Sequence, residues 1–172
     1  MTCVDDAAEA VVRSLRKADL TVATAESLTG GLVCAALTCV PGASAVVRGG
    51  VVLYTTAAKA DLGGVATDLL HAQGPVSAEV ASAMADGVRR RFDAQLGIAT
   101  TGVAGPDLQD GHPVGTVHVA LASASGLMLR SYVDADRLTG SRVDIRGATV
   151  AAALDLLGAY VSATPGDPKS AS

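Results

Sequence analysis

The sequence is short of aromatic residues. It has no tryptophan, one phenylalanine (Phe92) and three tyrosines (Tyr54, Tyr132, Tyr160), 2% of 172 residues. That scarcity argues against base stacking on single-stranded nucleic acid. Basic charge is also thin: the formal net charge is −4 and the longest basic run is Arg89-Arg90-Arg91, which does not support a phosphate-tracking nucleic-acid surface. No apolar run approaches the ~18 residues of a membrane span. The acidic N-terminus MTCVDDAAEA holds no signal-peptide core. The three cysteines, Cys3, Cys34 and Cys39, show no CxxC spacing and read as reduced thiols of a cytoplasmic protein. The three histidines (His71, His112, His118) lack acidic or thiol partners at ligand spacing, so neither a metal site nor another cofactor is expected. There is no GxGxxG, no Walker A loop and no GxSxG elbow.

What is present is a large aliphatic complement. Hydrophobic residues make up 49% of the chain, and Ala, Val, Leu and Ile must build the core. A chain of this length buries roughly 70% of its unfolded surface without a disulfide or metal. One domain over residues 1–163 is expected, followed by a disordered tail at 164–172.

Periodicity and punctuation give an alternating pattern. Residues 5–18 read as a helix and 20–25 as a short buried strand. A small helix then opens at Gly30-Gly31 and stops at Pro41-Gly42. Residues 46–55 read as a strand, with Gly49-Gly50 marking a bulge or close approach, and 57–72 as one or two short helices. Residues 75–92 form the clearest helix, capped by Ser77 and ending in the three arginines, where the helix dipole favours cations. A strand follows at 94–101, a hairpin at 115–123 and 127–134, and a last helix at 141–161. The predicted fold is a three-layer α/β/α sandwich on a mixed, mostly parallel sheet of about five strands including one antiparallel hairpin.

Ligands of open α/β sheets bind beyond the carboxyl ends of the strands. Three strands here end in polar or glycine-rich segments: Glu26-Ser27-Leu28-Thr29-Gly30-Gly31, Tyr54-Thr55-Thr56 with Lys59 close behind, and Thr100-Thr101-Gly102-Val103-Ala104-Gly105. If these strands are parallel neighbours, one cleft collects Ser27, Tyr54, Lys59 and Thr101. Ser27 reads as an exposed hydroxyl beside N–H groups at Gly30 and Gly31 that can hold a phosphate or an oxyanion; the plainer alternative is a helix cap. Lys59 sits among alanines and a leucine, and desolvation there would lower its pKa. Its plainer reading is a surface lysine, as that of Tyr54 is a core residue with its hydroxyl at the rim. Arg142 and Arg146 open the last helix, where cations oppose the dipole unless an anionic ligand reverses the sign. Ser141 and Asp144 resemble a capping box, and a surface ion pair with Asp144 or Asp136 is the alternative.

The blocks TAESLTGG, GGVVLYTTAAKADLGGV, GPVSAEVASAMADGV, TTGVAGPD, PVGTVHVA and LTGSRVDIRGATVAAAL occur in this order. Together they resemble the CinA C-terminal domain family over about residues 5–160. The resemblance implies an α/β/α sandwich, a stand-alone form of a domain that larger members carry behind another, and a homo-oligomer. It implies an amidase that converts nicotinamide mononucleotide (NMN) to nicotinate mononucleotide and ammonia. It carries the family serine onto Ser27, the lysine onto Lys59, the strand-end tyrosine onto Tyr54, a second serine onto Ser44, a further position onto Thr101 and the arginine onto Arg142. With no histidine in the matched blocks that form the proposed pocket, a Ser–Lys mechanism is the economical choice: Ser27 as nucleophile with Ser44 as the alternative, Lys59 as base, Tyr54 as orienter or proton relay. Glu26, Thr29, Gly30, Gly31, Ser44, Thr101, Gly102, Ala104, Gly105 and Arg142 would line the substrate site. Competing readings are a non-catalytic nucleotide sensor or protein-interaction module, and a phosphosugar enzyme of other chemistry.

Overall fold

The computed structural model describes residues 6–164. The expected helix start at residue 5 and the expected disordered tail from residue 165 onward lie outside them. The chain runs α1 (Asp6–Lys17), β1 (Val22–Glu26), α2 (Leu32–Thr38), a 3₁₀ turn (Ala43–Ala45) and β2 (Val47–Val52). It continues with α3 (Thr56–Asp61), α4 (Thr67–Gln73), α5 (Ala78–Arg91), β3 (Leu96–Gly102), β4 (Val117–Ser123) and β5 (Gly126–Tyr132). After a second 3₁₀ turn (Asp134–Asp136) comes α6 (Arg142–Ala163).

The five strands form one sheet in the order β2-β1-β3-β4-β5. β1 is central to the parallel part and pairs with β2 on one side and β3 on the other. β4 is antiparallel to both β3 and β5, so four strands point one way and β4 alone runs against them. The β1–β2 register slips between Val22 and Ala23, placing Val47 and then Gly49 opposite them. This is the irregularity that Gly49-Gly50 announced.

The two faces carry different chemistry. Ile98, Val119 and Leu121 point into one core, shared with α1, α2 and α6. Their neighbours Ala99, Ala120 and Ala122 point into the other, filled by Val80, Met84 and Val88 of α5. This period-2 split is what strands covered on both faces require. The all-alanine face lets α5 lie very close: a Cβ on Gly97 would stand 1.9 Å from the Ala85 carbonyl oxygen. α5 starts at the Ser77 cap, whose hydroxyl accepts from Val80 N–H.

α6 is the one described helix whose length and composition would suit a bilayer. One side of it, including Ile145, Leu156 and Leu157, is buried in the core against α1 and the sheet, which accounts for its apolarity. Cys34 is a free thiol, whereas Cys39 is disulfide-bonded. The expectation of three reduced thiols therefore fails at Cys39; Cys3 lies outside the described residues.

Candidate active site

Because β1, β2 and β3 are parallel neighbours, their carboxyl ends open at one edge. There the turn 27–31, the β2–α3 junction and the loop 102–109 meet around a cavity of about 90 Å³. Ser27, Leu28, Tyr54, Lys59, Gly102, Ala104, Gly105 and Arg142 line it, with Pro75, Val76, Asp107 and Gln109. A larger groove of about 730 Å³ between α1 and Val40–Pro41 holds no nucleophile and no buried titratable side chain.

The centre of the site is one contact. Lys59 Nζ donates to Ser27 Oγ at 3.0 Å and to the Leu53 carbonyl oxygen, also at 3.0 Å. Lys59 is 2% exposed and Ser27 8%. Sequence distance places them 32 residues apart; the parallel β1–β2 pairing and the short α3 bring them together. α3 is set by Thr55, whose hydroxyl caps it by accepting from Ala58 N–H. Burial pushes the lysine down from 10.5 to about 8, with the charge of Asp110 partly opposing. Among the described residues no carboxylate is hydrogen-bonded to the amine, so a substantial neutral fraction exists near pH 8.

Ser27 is held by its backbone. Its N–H donates to Thr100 O at 2.9 Å, and its carbonyl accepts from Gly30 N–H at 3.0 Å, closing a turn. Thr29 and Thr100 share a hydroxyl–hydroxyl bond of 2.7 Å that ties this turn to β3.

Several expected roles change. Glu26 faces away from the cavity: it is 1% exposed and accepts N–H bonds from Gly31, Val33 and Cys34 at 2.9, 3.0 and 2.8 Å. It supplies the cap that α2 lacks at its own N-cap, Gly31. Gly30 and Gly31 reach φ of 61° and 97°, which explains the glycine pair, but both N–H groups are already taken and are not oxyanion donors. Thr29 and Thr101 are fully buried; Thr101 donates to Pro75 O at 2.8 Å and braces the cavity wall instead of lining it. Tyr54 does stand at the cavity, 58% exposed. Its hydroxyl accepts from Arg142 at 2.7 Å, so Leu53 O, not Tyr54, orients Lys59.

Ser44 is exposed in the 3₁₀ turn before β2, in a separate depression with Thr38 and Pro41. It therefore sits at the opposite end of the sheet from Lys59, and this chain does not bring the two together. Arg142 also donates to Gly105 O at 2.7 Å, so it bridges two walls of the mouth. The capping box of Ser141 and Asp144 is formed; it occupies the start of α6 with a carboxylate and leaves the arginine as the cationic group there. Neither Arg142 nor Arg146 makes an ion pair among the described residues. Sequence reasoning missed Asp107, Gln109 and Asp110 because the loop that carries them has no periodicity to read.

Since Glu26 satisfies three N–H groups inside the protein, Glu26→Ala is expected to destabilise the fold by about 3 kcal/mol or more. Denaturant unfolding measures this; a cost under about 1 kcal/mol would contradict the capping role.

Fold and site together define an α/β/α protein with a buried serine–lysine pair at the carboxyl edge of its parallel strands. A family model described as the CinA C-terminal domain matches residues 4–161, and the chain belongs to that family. A CinA-like protein from Frankia casuarinae is 49% identical over 162 residues, covering 94% of this chain and 36% of that protein. A putative competence-damage inducible protein from Desulforamulus reducens is 48% identical over 153 residues, 88% of this chain and 36% of that one. The chain thus spans about a third of the length of the curated relatives it matches. Solved structures match over more than nine-tenths of both chains. The competence/damage inducible protein CihA from Agrobacterium tumefaciens is 38% identical with a TM-score of 0.83, covering 94% of this chain and 99% of that one. A CinA superfamily protein from Klebsiella pneumoniae is 29% identical with a TM-score of 0.86, covering 91% and 96%.

Proposed function

We propose that this chain is an amidohydrolase that converts NMN to nicotinate mononucleotide and ammonia. The observation that carries the reading is the buried 3.0 Å contact between Lys59 Nζ and Ser27 Oγ. The substrate follows from the family resemblance. An alcohol needs a base to attack a carboxamide at neutral pH, and a desolvated lysine can be that base.

In this mechanism neutral Lys59 takes the hydroxyl proton as Ser27 Oγ bonds to the carboxamide carbon. The carbonyl π electrons move to oxygen, and the N–H of Leu28, next to the nucleophile, receives the oxyanion. Collapse breaks the C–N bond. Lys59 returns its proton to the leaving nitrogen, which departs as ammonia. Water then attacks the acyl-serine, giving one proton to Lys59, which passes it to Ser27 Oγ as the acyl–oxygen bond breaks; the carboxylic acid so formed loses its remaining proton to solvent and leaves as the carboxylate.

The 90 Å³ cavity is far below the roughly 300–1,000 Å³ of clefts that enclose a whole ligand. It suits the carboxamide edge of the ring, with the nucleotide body at the mouth, where the Arg142 guanidinium can exchange Tyr54 and Gly105 for a phosphate. The test is ammonia release from NMN by the purified protein, with coupled detection of nicotinate mononucleotide. NMN binding without ammonia would favour the nucleotide sensor, and turnover of ribose phosphates lacking the carboxamide would favour the phosphosugar reading.

A further inference from the structure

Arg142 and Arg146 are one helical turn apart on α6, yet their guanidinium groups go to different places. Arg146 is half-buried and touches no ion-pair partner among the described residues. Its Nε donates to Leu28 O at 3.0 Å and its Nη2 to Thr29 O at 2.9 Å. A side chain more than a hundred residues downstream thus holds both central carbonyls of the turn that follows Ser27.

The bonds continue toward the nucleophile. The Thr29 carbonyl belongs to the same peptide unit as Gly30 N–H, and Gly30 N–H donates to Ser27 O at 3.0 Å. The Ser27 carbonyl in turn shares its peptide unit with Leu28 N–H, which has no hydrogen-bond partner among the described residues. In a trans peptide the C=O and N–H point in opposite directions. A cation at a carbonyl oxygen therefore draws electron density from the N–H at the far side, and chained bonds add. The route is Arg146 Nη2–H to Thr29 C=O, Gly30 N–H to Ser27 C=O, and Leu28 N–H outward, two peptide units from guanidinium to open donor.

We propose that Arg146 is a positioning residue that locks the Ser27–Gly30 turn and polarises Leu28 N–H as the oxyanion donor. A point charge would not do the same, because only a fork spans two successive carbonyls. A side chain on Gly30 would also press on this contact: its Cβ would stand 3.3 Å from Arg146 Nη2. The proposal rests on the amidase reading for its substrate, not for its geometry.

The experiment compares wild type, Arg146→Gln and Arg146→Lys in the full chain. It measures kcat and KM for NMN, and separately the acylation of Ser27 by p-nitrophenyl acetate, which needs no nucleotide site. For Arg146→Gln, kcat and the acylation rate are expected to fall roughly 10- to 100-fold, with KM within about twofold. The rising pH limb set by Lys59 is expected to stay where it is. Arg146→Lys is expected to recover part of the rate. Wild-type rates in Arg146→Gln, or a change confined to KM, overturn the proposal. If Arg146→Gln does not fold, wild-type acylation by Arg146→Lys overturns it as well. Arg146-dependent acylation of Ser27 in a protein that leaves NMN intact would instead sink the NMN reading and leave the relay standing. No acylation of wild-type Ser27 overturns the relay.

Discussion

Ser27→Ala is expected to lower kcat for NMN by roughly 10⁴-fold or more, the scale seen when a nucleophile is removed from a set of groups that act together. The loss should be almost entirely in kcat. Ser27 is 8% exposed and lines the cavity beside buried Lys59, whereas the groups that would hold the nucleotide, Arg142 and Tyr54, are exposed. The fold should survive: Ser27's backbone bonds to Thr100 O and from Gly30 N–H do not involve its side chain, and Lys59 keeps Leu53 O. Activity is measured by ammonia release and folding by thermal unfolding. The complementary observation is where an acylating probe lands. Mass spectrometry should find the adduct on Ser27; an adduct on Ser44, at the other end of the sheet, would reverse the choice of nucleophile.

How far this site could be read from sequence depends on which kind of contact made each part. The strand ends were legible because glycine, proline and hydroxyl residues punctuate the βα junctions, and parallel neighbours put three such junctions at one edge. Lys59 was legible only in part: its alanine and leucine neighbours allow a desolvated lysine but equally allow a surface one, and the packing of α3 decides between them. Hydroxyl and carboxyl residues were not legible by role. Glu26 looks the same in sequence whether it faces a ligand or, as here, the bare N–H groups of α2. Thr29, Thr100 and Thr101 differ only in which neighbour each finds, and two of them spend their hydroxyls on each other. The arginine pair shows the same limit. An i, i+4 spacing predicts a shared face, but long side chains diverge: Arg142 reaches across the mouth to Tyr54 and Arg146 turns back to Leu28 and Thr29. Ser44 was placed by resemblance alone, while the topology of β2 puts it at the other end of the sheet from Lys59 of the same chain.

Lys59→Met should abolish turnover near neutral pH, by about 10³-fold or more, since general-base proton transfer and nucleophile activation are both lost. Its effect on stability should be small or favourable, and the sign depends on pH. In the folded protein the lysine's pKa is lowered from 10.5 to about 8 by burial, against the raising influence of Asp110. The folded state therefore binds this proton more weakly than the unfolded chain. The resulting penalty is fully present below pH 8, shrinks as pH rises, and is gone above about pH 10.5. At about 1.4 kcal/mol per pKa unit it is on the order of 3 kcal/mol at pH 6.5. Methionine removes that penalty but leaves Leu53 O without its donor, which costs about 1–3 kcal/mol. The variant should therefore unfold at or above the wild-type temperature at pH 6.5. Between pH 6.5 and 9.5 the wild type should gain about 2 kcal/mol relative to the variant. In the wild type kcat/KM should rise tenfold per pH unit below a limb near pH 8, where the amine becomes neutral. A Lys59→Met protein that keeps turning over NMN would remove lysine as the base. A stability difference that does not change with pH would show that the amine is not desolvated as its surroundings require.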